Sequence, residues 1–449
     1  MKTELIVKSE DQVTELSIKD GLKLFELNSL LCVVRSGILR RAFPVALNKV
    51  KCTVNQDLKV LEIFDKSISE YVLLMMKGFE SYILENLTKT GTTVESIKFD
   101  EFKVHPFMIP PKEEQKRIVA KVDELMALCD QLESQTLDSI ATHQTLVETL
   151  LGNLVTPDNT ANFQAAWSLI AQNFDVLFTT EHSIDTLKQT ILQLAVMGKL
   201  VPQNPNDEPA GKLLEKIATE KAQLIKDKKI KKTKPLPEIT EEEKPFNLPN
   251  GWEWCRFDDV SIISSGITKG RKLKGRNTVA VPYLRVANVQ RSYLDLDEIK
   301  EVEIPVEEQE KYRVNDRDLL ITEGGDWDKV GRTAIWQCEL PYVAHQNHVF
   351  RSTSLLPKGS EFWFEKYLNS VFARDYFAGS SKQTTNLASI NKTQLSKCLI
   401  AIPPKEEQTR IVAKVNELIT LCEQLKTQLQ TAEQTQTHLA QSIAQEALA

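Results

Sequence analysis

Two distant stretches of the chain carry the same spacing of apolar positions. Ile118, Val122, Leu125, Cys129 and Leu132 are separated by steps of 4, 3, 4 and 3 residues, and Ile411, Val415, Leu418, Cys422 and Leu425 repeat those steps. Such steps put a narrow apolar seam along one face of an α-helix, the heptad pattern of coiled-coil packing. Each seam follows a Pro-Pro pair, at 110–111 and 403–404, that cannot lie inside a helix and holds the chain extended just before one. Glu113, Glu114, Glu406 and Glu407 then occupy the first turn, where acids suit the helix dipole. The pattern predicts one helix from about 112 to 151 and another from about 405 to 446, each on the order of 60 Å long at ~1.5 Å per residue. The two seams are expected to pack antiparallel against each other, with both cysteines serving as core atoms.

The seams belong to an internal repeat. Residues 109–132 read IPPKEEQKRIVAKVDELMALCDQL and residues 402–425 read IPPKEEQTRIVAKVNELITLCEQL, with 19 of 24 positions identical at an offset of 293. The duplication extends upstream. Gly91–Ile97 faces Thr384–Ile390 at the same offset, and LFELNSLLCVVRSG (24–37) resembles YRVNDRDLLITEGG (312–325). Both of the latter are β-type segments that run into glycine turns. Asn55-Gln56-Asp57 likewise falls near the place of His345-Gln346-Asn347. A mixed α/β module followed by a long helix is therefore expected twice. Between the copies, residues 184–201 and 211–230 read as amphipathic helices. A lysine-rich, then proline- and acid-rich stretch (226–254) reads as an exposed linker into the second module.

Composition narrows the class. At 449 residues the chain is too long for one ordinary domain. No apolar run is long enough to span a bilayer, and MKTELIVKSEDQ lacks a signal core, so a cytoplasmic location is expected. Seven cysteines without a CxxC pair exclude a disulfide framework and a zinc ribbon. The net charge is −6, yet Leu22–Val60 holds seven Lys/Arg against two acids, and Ser265–Arg291 seven against none. Two basic regions on an acidic chain point to two surfaces that face polyanions. Catalytic signatures are absent: no GxxxxGK[ST] loop, no GxGxxG, no methyltransferase-type Asn-Pro-Pro-Tyr, and no convincing histidine ligand pair beyond the loosely spaced His345 and His348.

The doubled PPKEEQ-x-RIVAKV starts, the central IDTLKQTILQLAVMGKLVPQNPNDEPAGKLL (184–214), the opening LPNGWEW (248–254) and PYLRVANVQ (282–290) together resemble the specificity subunit of type I restriction–modification systems. The resemblance covers nearly the whole chain. It implies an α+β fold: two α/β target-recognition domains separated by long antiparallel coiled-coil helices, in a pseudo-twofold internal repeat. It also implies a non-catalytic DNA-recognition role. Each module would read half of a bipartite double-stranded target, and two methyltransferase subunits would dock with restriction subunits on the helices. No cofactor is expected in this chain, since S-adenosylmethionine, ATP and magnesium would belong to the partners. No membrane partner is expected. The alternatives are a stand-alone DNA-binding or regulatory protein and a coiled-coil scaffold.

The expected partition is 1–108, a proximal recognition domain; 109–152, a spacer helix; 153–245, a helical connector; 246–401, a distal recognition domain; and 402–449, a second spacer helix. In the distal module Lys269, Arg271, Lys272, Lys274 and Arg276 form a basic loop suited to phosphates. Arg285, Asn288, Gln290, Gln346 and Asn347 have the chemistry that reads base edges. The proximal candidates are Arg35, Arg40, Arg41, Lys49, Lys51 and Gln56. Ile118, Val122, Leu125 and Leu132, with Ile411, Val415, Leu418 and Leu425, are the packing positions. Only about 22 residues precede Lys23-Leu24, against about 60 between Trp252 and Lys311-Tyr312, and no LP-x-GW opens the first module. The proximal module is therefore expected to be shortened, leaving Leu30–Val34 as an apolar strand without partners.

Overall fold

A computed structural model describes all residues except 1–2, 10, 90–93, 156–159, 233–234, 271, 326–328, 385–386 and 449. The chain forms two compact units, residues 1–140 and 141–449. The division falls inside the first long helix, so the expected boundary ahead of that helix is not where the compact units part.

In the first unit, β1 (Leu5–Ile6), β2 (Leu30–Val33), β3 (Val45–Asn48) and β4 (Leu58–Leu61) form one sheet in the order β1-β3-β2-β4. β2 pairs antiparallel with both β3 and β4, and all four of its residues are buried. The expectation of an unpartnered strand at Leu30–Val34 is thus corrected. Two strands later in the chain flank it, and the two-residue β1 covers the outer side of β3. Helices Ser69–Gly78 and Glu80–Asn86 close the core, setting Met76 and Ile83 against Leu30, Phe43 and Leu47. A second small sheet joins Arg35–Ser36 to Glu95–Ile97 and that strand to Thr88–Lys89.

The second unit contains β5 (Glu253–Arg256), β6 (Ser261–Ser264), β7 (Thr278–Leu284), β8 (Lys300–Pro305), β9 (Leu319–Thr322), β10 (Thr333–Ile335), β11 (Ala344–His345), β12 (Val349–Ser354) and β13 (Leu399–Ile402). β9 pairs antiparallel with β10 and β12, as β2 does with β3 and β4. Gly324–Gly325 joins Leu387–Ser389 as Arg35–Ser36 joins Glu95–Ile97. The sequence repeat is therefore also a repeat of strand pairing. β5 to β8 have no counterpart among the described residues of the first unit. β6 extends the β10-β9-β12 sheet, β8-β7-β11 forms a separate sheet, and β5 pairs with β13. Trp363, Phe364, Ile400 and Ile402 lie in the main core, where the Trp363 indole N–H donates to the Ala401 carbonyl at 2.9 Å.

Four helices matter most: α1 (Lys112–Val155), α2 (Glu181–Val196), α3 (Ala210–Lys226) and α4 (Lys405–Leu448). α1 and α4 are 44 residues each and begin at the lysine after each Pro-Pro. The seam of α4 packs against α2: Leu418, Cys422, Leu425 and Leu429 share a core with Ile184, Leu187, Ile191 and Leu194. Lys188 to Glu423 at 2.5 Å and Lys426 to Asp185 at 3.0 Å rise on one helix as they fall on the other, so the pair is antiparallel. α2 thus lies on the α4 seam, and Val147, Leu151 and Leu154 near the end of α1 share the same core. On α1, Ile118 and Val122 are half-buried, whereas Leu125 and Leu132 are 49% and 62% exposed.

The start of α4 is fastened by polar contacts. Glu407, fully buried, accepts the Trp252 indole N–H at 3.0 Å and the Gln203 amide at 2.7 Å. Burial pushes its carboxyl up, and those two hydrogen bonds oppose the rise. Arg410 binds Asp207 at 2.6 Å. The PQNPND loop and the Gly-Trp turn thus serve one purpose, holding the helix start against β5.

Candidate nucleic-acid interface

The distal candidates converge where β7 and β11 end. Leu284 lies in register with His345, and Ile267 bridges Gln346. The Ile267 N–H donates to the His345 carbonyl at 2.8 Å, and the Asn347 N–H donates to the Ile267 carbonyl at 2.9 Å. A Cβ on Gly266 would lie 2.1 Å from the His345 carbonyl oxygen, so only glycine permits this closure. The basic loop is thereby tied to the Gln346-Asn347 turn. Lys269 stacks its ammonium 5.0 Å above the Tyr283 ring on β7, and Arg285 directly follows that strand. Lys272 and Lys274 are exposed beyond them. Arg271 lies outside the described residues.

Several candidates are already engaged. Arg276 binds Glu307 at 2.6 Å and Glu308 at 3.1 Å; these carboxylates raise its pKa, and Arg276 lowers that of Glu307. Arg285 reaches the Glu298 carboxylate at 3.3 Å, and Lys300 with Arg285 holds that carboxyl below its ordinary range. Asn288 is buried. Its amide N–H groups donate to the Asp295 and Glu298 carbonyls at 2.9 and 3.0 Å, and its oxygen accepts the Arg285 N–H at 2.9 Å. The base-reading role expected of Asn288 is therefore corrected: both ends of its amide fix the turn after β7. Gln290 donates to the Ala287 carbonyl at 2.7 Å and accepts from Arg332 at 2.5 Å.

Arg332 is a neighbour that sequence reasoning missed. It stands 42 residues from Gln290, just ahead of β10, so no local spacing linked the two. The two histidines also part company. His345 is buried, with its Nδ1–H donating to the Val349 carbonyl at 2.7 Å, and burial lowers it to about 4. His348 is exposed and lies 2.6 Å from Glu323. Among the described residues no group of His, Cys, Asp and Glu could hold a metal ion. No helix there is long and apolar enough to cross a membrane.

In the first unit the candidates are more dispersed. Arg40 binds the buried Glu95 at 2.6 Å, Lys51 binds Glu26 at 2.7 Å, and Lys49 donates to Asn28 at 3.1 Å. Arg35, Arg41 and Gln56 are exposed. Because β5 to β8 have no counterpart there, these residues are not the geometric equivalents of the distal loop.

The chain is similar to known proteins. The family described as "Type I restriction modification DNA specificity domain" matches residues 12–142 and 249–434. The type I restriction enzyme EcoAI specificity subunit of Escherichia coli is 41% identical over 357 residues, covering 77% of this chain and 59% of that protein. The EcoEI specificity subunit of the same species is 38% identical over 383 residues, covering 84% and 64% respectively. The chain thus spans about three-fifths of the length of these curated relatives. The crystal structure of the HsdS subunit from Thermoanaerobacter tengcongensis aligns with a TM-score of 0.40 and 16% identity, covering 92% of this chain and 80% of that one.

Proposed function

Because the chain belongs to the DNA specificity family of type I restriction–modification systems, we propose that it reads DNA sequence on behalf of catalytic partners. In this reading the distal unit contacts one half of a bipartite target, the first unit contacts the other, and the long helices set the gap between them. Two methyltransferase subunits and the restriction subunits dock on the chain. S-adenosylmethionine, ATP and magnesium act in those partners.

The observation that supports this most is the grouping at the end of β7 and β11. There the Gly-punctuated basic loop follows the Ile267 bridge to the turn that carries Gln346 and Asn347. Cations with no other duty position the phosphate backbone, while amides can address base edges in the major groove. Arg276 and Arg285, held by carboxylates, enter DNA contact only by exchanging those partners.

Methylation mapping on random DNA, with the chain assembled on a methyltransferase subunit, tests the proposal. A sequence preference assignable to the distal half-site is expected. Replacing Lys272 and Lys274 by alanine should weaken binding to all sequences alike and flatten the log–log salt slope by roughly two units. A chain that neither co-purifies with a methyltransferase subunit nor binds DNA in a salt-dependent way would be a scaffold instead.

A further inference from the structure

Charge alone does not choose among the distal arginines; what each already holds does. Arg276 and Arg285 are tied to the carboxylates of Glu307, Glu308 and Glu298, so each loses an ion pair on turning to DNA. Arg332 is tied to an amide instead. Its Nη1 donates to the Gln290 Oε1 at 2.5 Å, and the Gln290 Nε2 donates in turn to the Ala287 carbonyl at 2.7 Å. A neutral partner leaves the guanidinium charge in place and takes one of the five N–H donors of its fork.

The backbone under Arg332 is fixed from both sides. Gly331 lies in the left-handed region at φ +70°, and a Cβ there would run into the Phe377 ring, so only glycine permits the approach. Thr333 is fully buried. Its N–H donates to the Asn369 Oδ1 at 3.2 Å, and its carbonyl accepts from the Asn369 amide at 2.8 Å and the Ser292 N–H at 3.0 Å. Arg332 itself donates its N–H to the Thr322 hydroxyl and accepts the Thr322 N–H, each at 3.0 Å.

That position faces the turn already described. Thr322 is in register with Val349, where the turn bearing Gln346, Asn347 and His348 ends. Arg332 and this turn are thus two strand spacings apart, about 10 Å, which fits within a major groove ~12 Å wide. The Glu323 carboxylate, 2.6 Å from His348, makes the same face a poor cradle for phosphate.

We infer that Arg332 is a specificity-determining residue that reads the O6 and N7 acceptors of a guanine in the distal half-site, and that Gln290 is its positioning residue. The planar fork of arginine matches those two acceptors, and a side chain already held in place loses less freedom on docking. The Gln290 carboxamide, engaged at both ends, orients the guanidinium and reads no base itself. These roles rest on the reading of the chain as a DNA specificity subunit.

The test is binding selection from random double-stranded DNA, with the full chain assembled on a methyltransferase subunit. Wild type should select a distal half-site that contains a G·C pair. Arg332→Ala should cut the preference at that pair by roughly ten- to a hundred-fold and leave the other positions unchanged. Arg332→Lys keeps the charge without the fork; it should lose most of the same preference, bind unrelated DNA as wild type does, and carry the test if the alanine variant melts early by tryptophan fluorescence. Gln290→Ala should weaken that one position by a smaller factor, whereas a merely structural role would blur every position. A selective wild type whose pattern survives Arg332→Lys, weakens uniformly, or changes only at an A·T pair would overturn the inference and leave the broader reading standing. A wild type with no distal preference would overturn both.

Discussion

α1 and α4 begin with nearly the same 24 residues and reach the same 44-residue length, yet they live in different surroundings. Pro-Pro, the acidic first turn and a glutamine that bonds back to a proline carbonyl fix both starts alike: Gln115 donates to Pro110 at 2.7 Å and Gln408 to Pro403 at 2.9 Å. Those contacts are local, so the repeat preserves them. Burial is not local. Ile402 is fully buried and Ile109 mostly exposed because β5 lies beside one and, among the described residues, no strand pairs with the other. Local sequence sets where a helix begins; the segments that arrive from elsewhere set what its faces are worth.

The largest expected contrast follows directly. Ile402→Ala removes a side chain from the main core and should destabilise the second unit by about 2–5 kcal/mol. Ile109→Ala should change the first unit by no more than about 0.5 kcal/mol. Hydrogen exchange on the full chain reads the two units separately. Equal costs at both positions would show that Ile109 is covered in solution and would dissolve the contrast.

Polar contacts give a smaller contrast of the same form. Glu407→Ala leaves the Trp252 indole and the Gln203 amide without their acceptor, at a cost of about 1–3 kcal/mol. Glu114→Ala should fall within about 0.5 kcal/mol of zero, since the Glu114 side chain is exposed. The six tryptophans all lie in the second unit, so their fluorescence follows the Glu407 variant there.

The same division explains what could be read from sequence. The helix starts, the seams and the doubling were legible because each is written within a few residues. So was the basic loop, a run of like charges punctuated by glycine. Its fate was not legible: Arg276 is claimed by Glu307 and Glu308, about 30 residues on. Asn288 looked like a base reader because an exposed amide would be one, and its burial depends on the carbonyls of Asp295 and Glu298 folding back over it. β1 was invisible because two residues carry no periodicity. That α2 joins the α4 seam was not legible for a related reason. A heptad says that a helix has a partner and leaves open which amphipathic helix arrives, and α2 was as eligible as α1.

The smallest expected effect is the acid dependence that the α2–α4 pair contributes. Burial alone would raise Asp185, but the hydrogen bond from Lys426 and the charges of Lys188 and Lys426 hold it below its ordinary value. Glu181 is lowered by its bond from Gln430 and by Lys426. A carboxyl whose folded pKa lies below its unfolded value stabilises fully above the unfolded value, near 4. That contribution is lost as pH falls through the folded one. Glu407 works in the opposite sense: burial raises its folded pKa, so protonation relieves a cost and its contribution improves as pH drops. In mild acid these two contributions oppose each other. Glu407→Gln should remove the second, so that the second unit loses stability more steeply on acidification. Asp185→Asn should flatten the loss. On α1 the ion pair of Lys426 is not repeated, because Glu133 stands at that position. If Asp185→Asn melted with the wild-type acid dependence, the ion pairs would not be what sets α2 on α4, and the apolar seam alone would account for the choice.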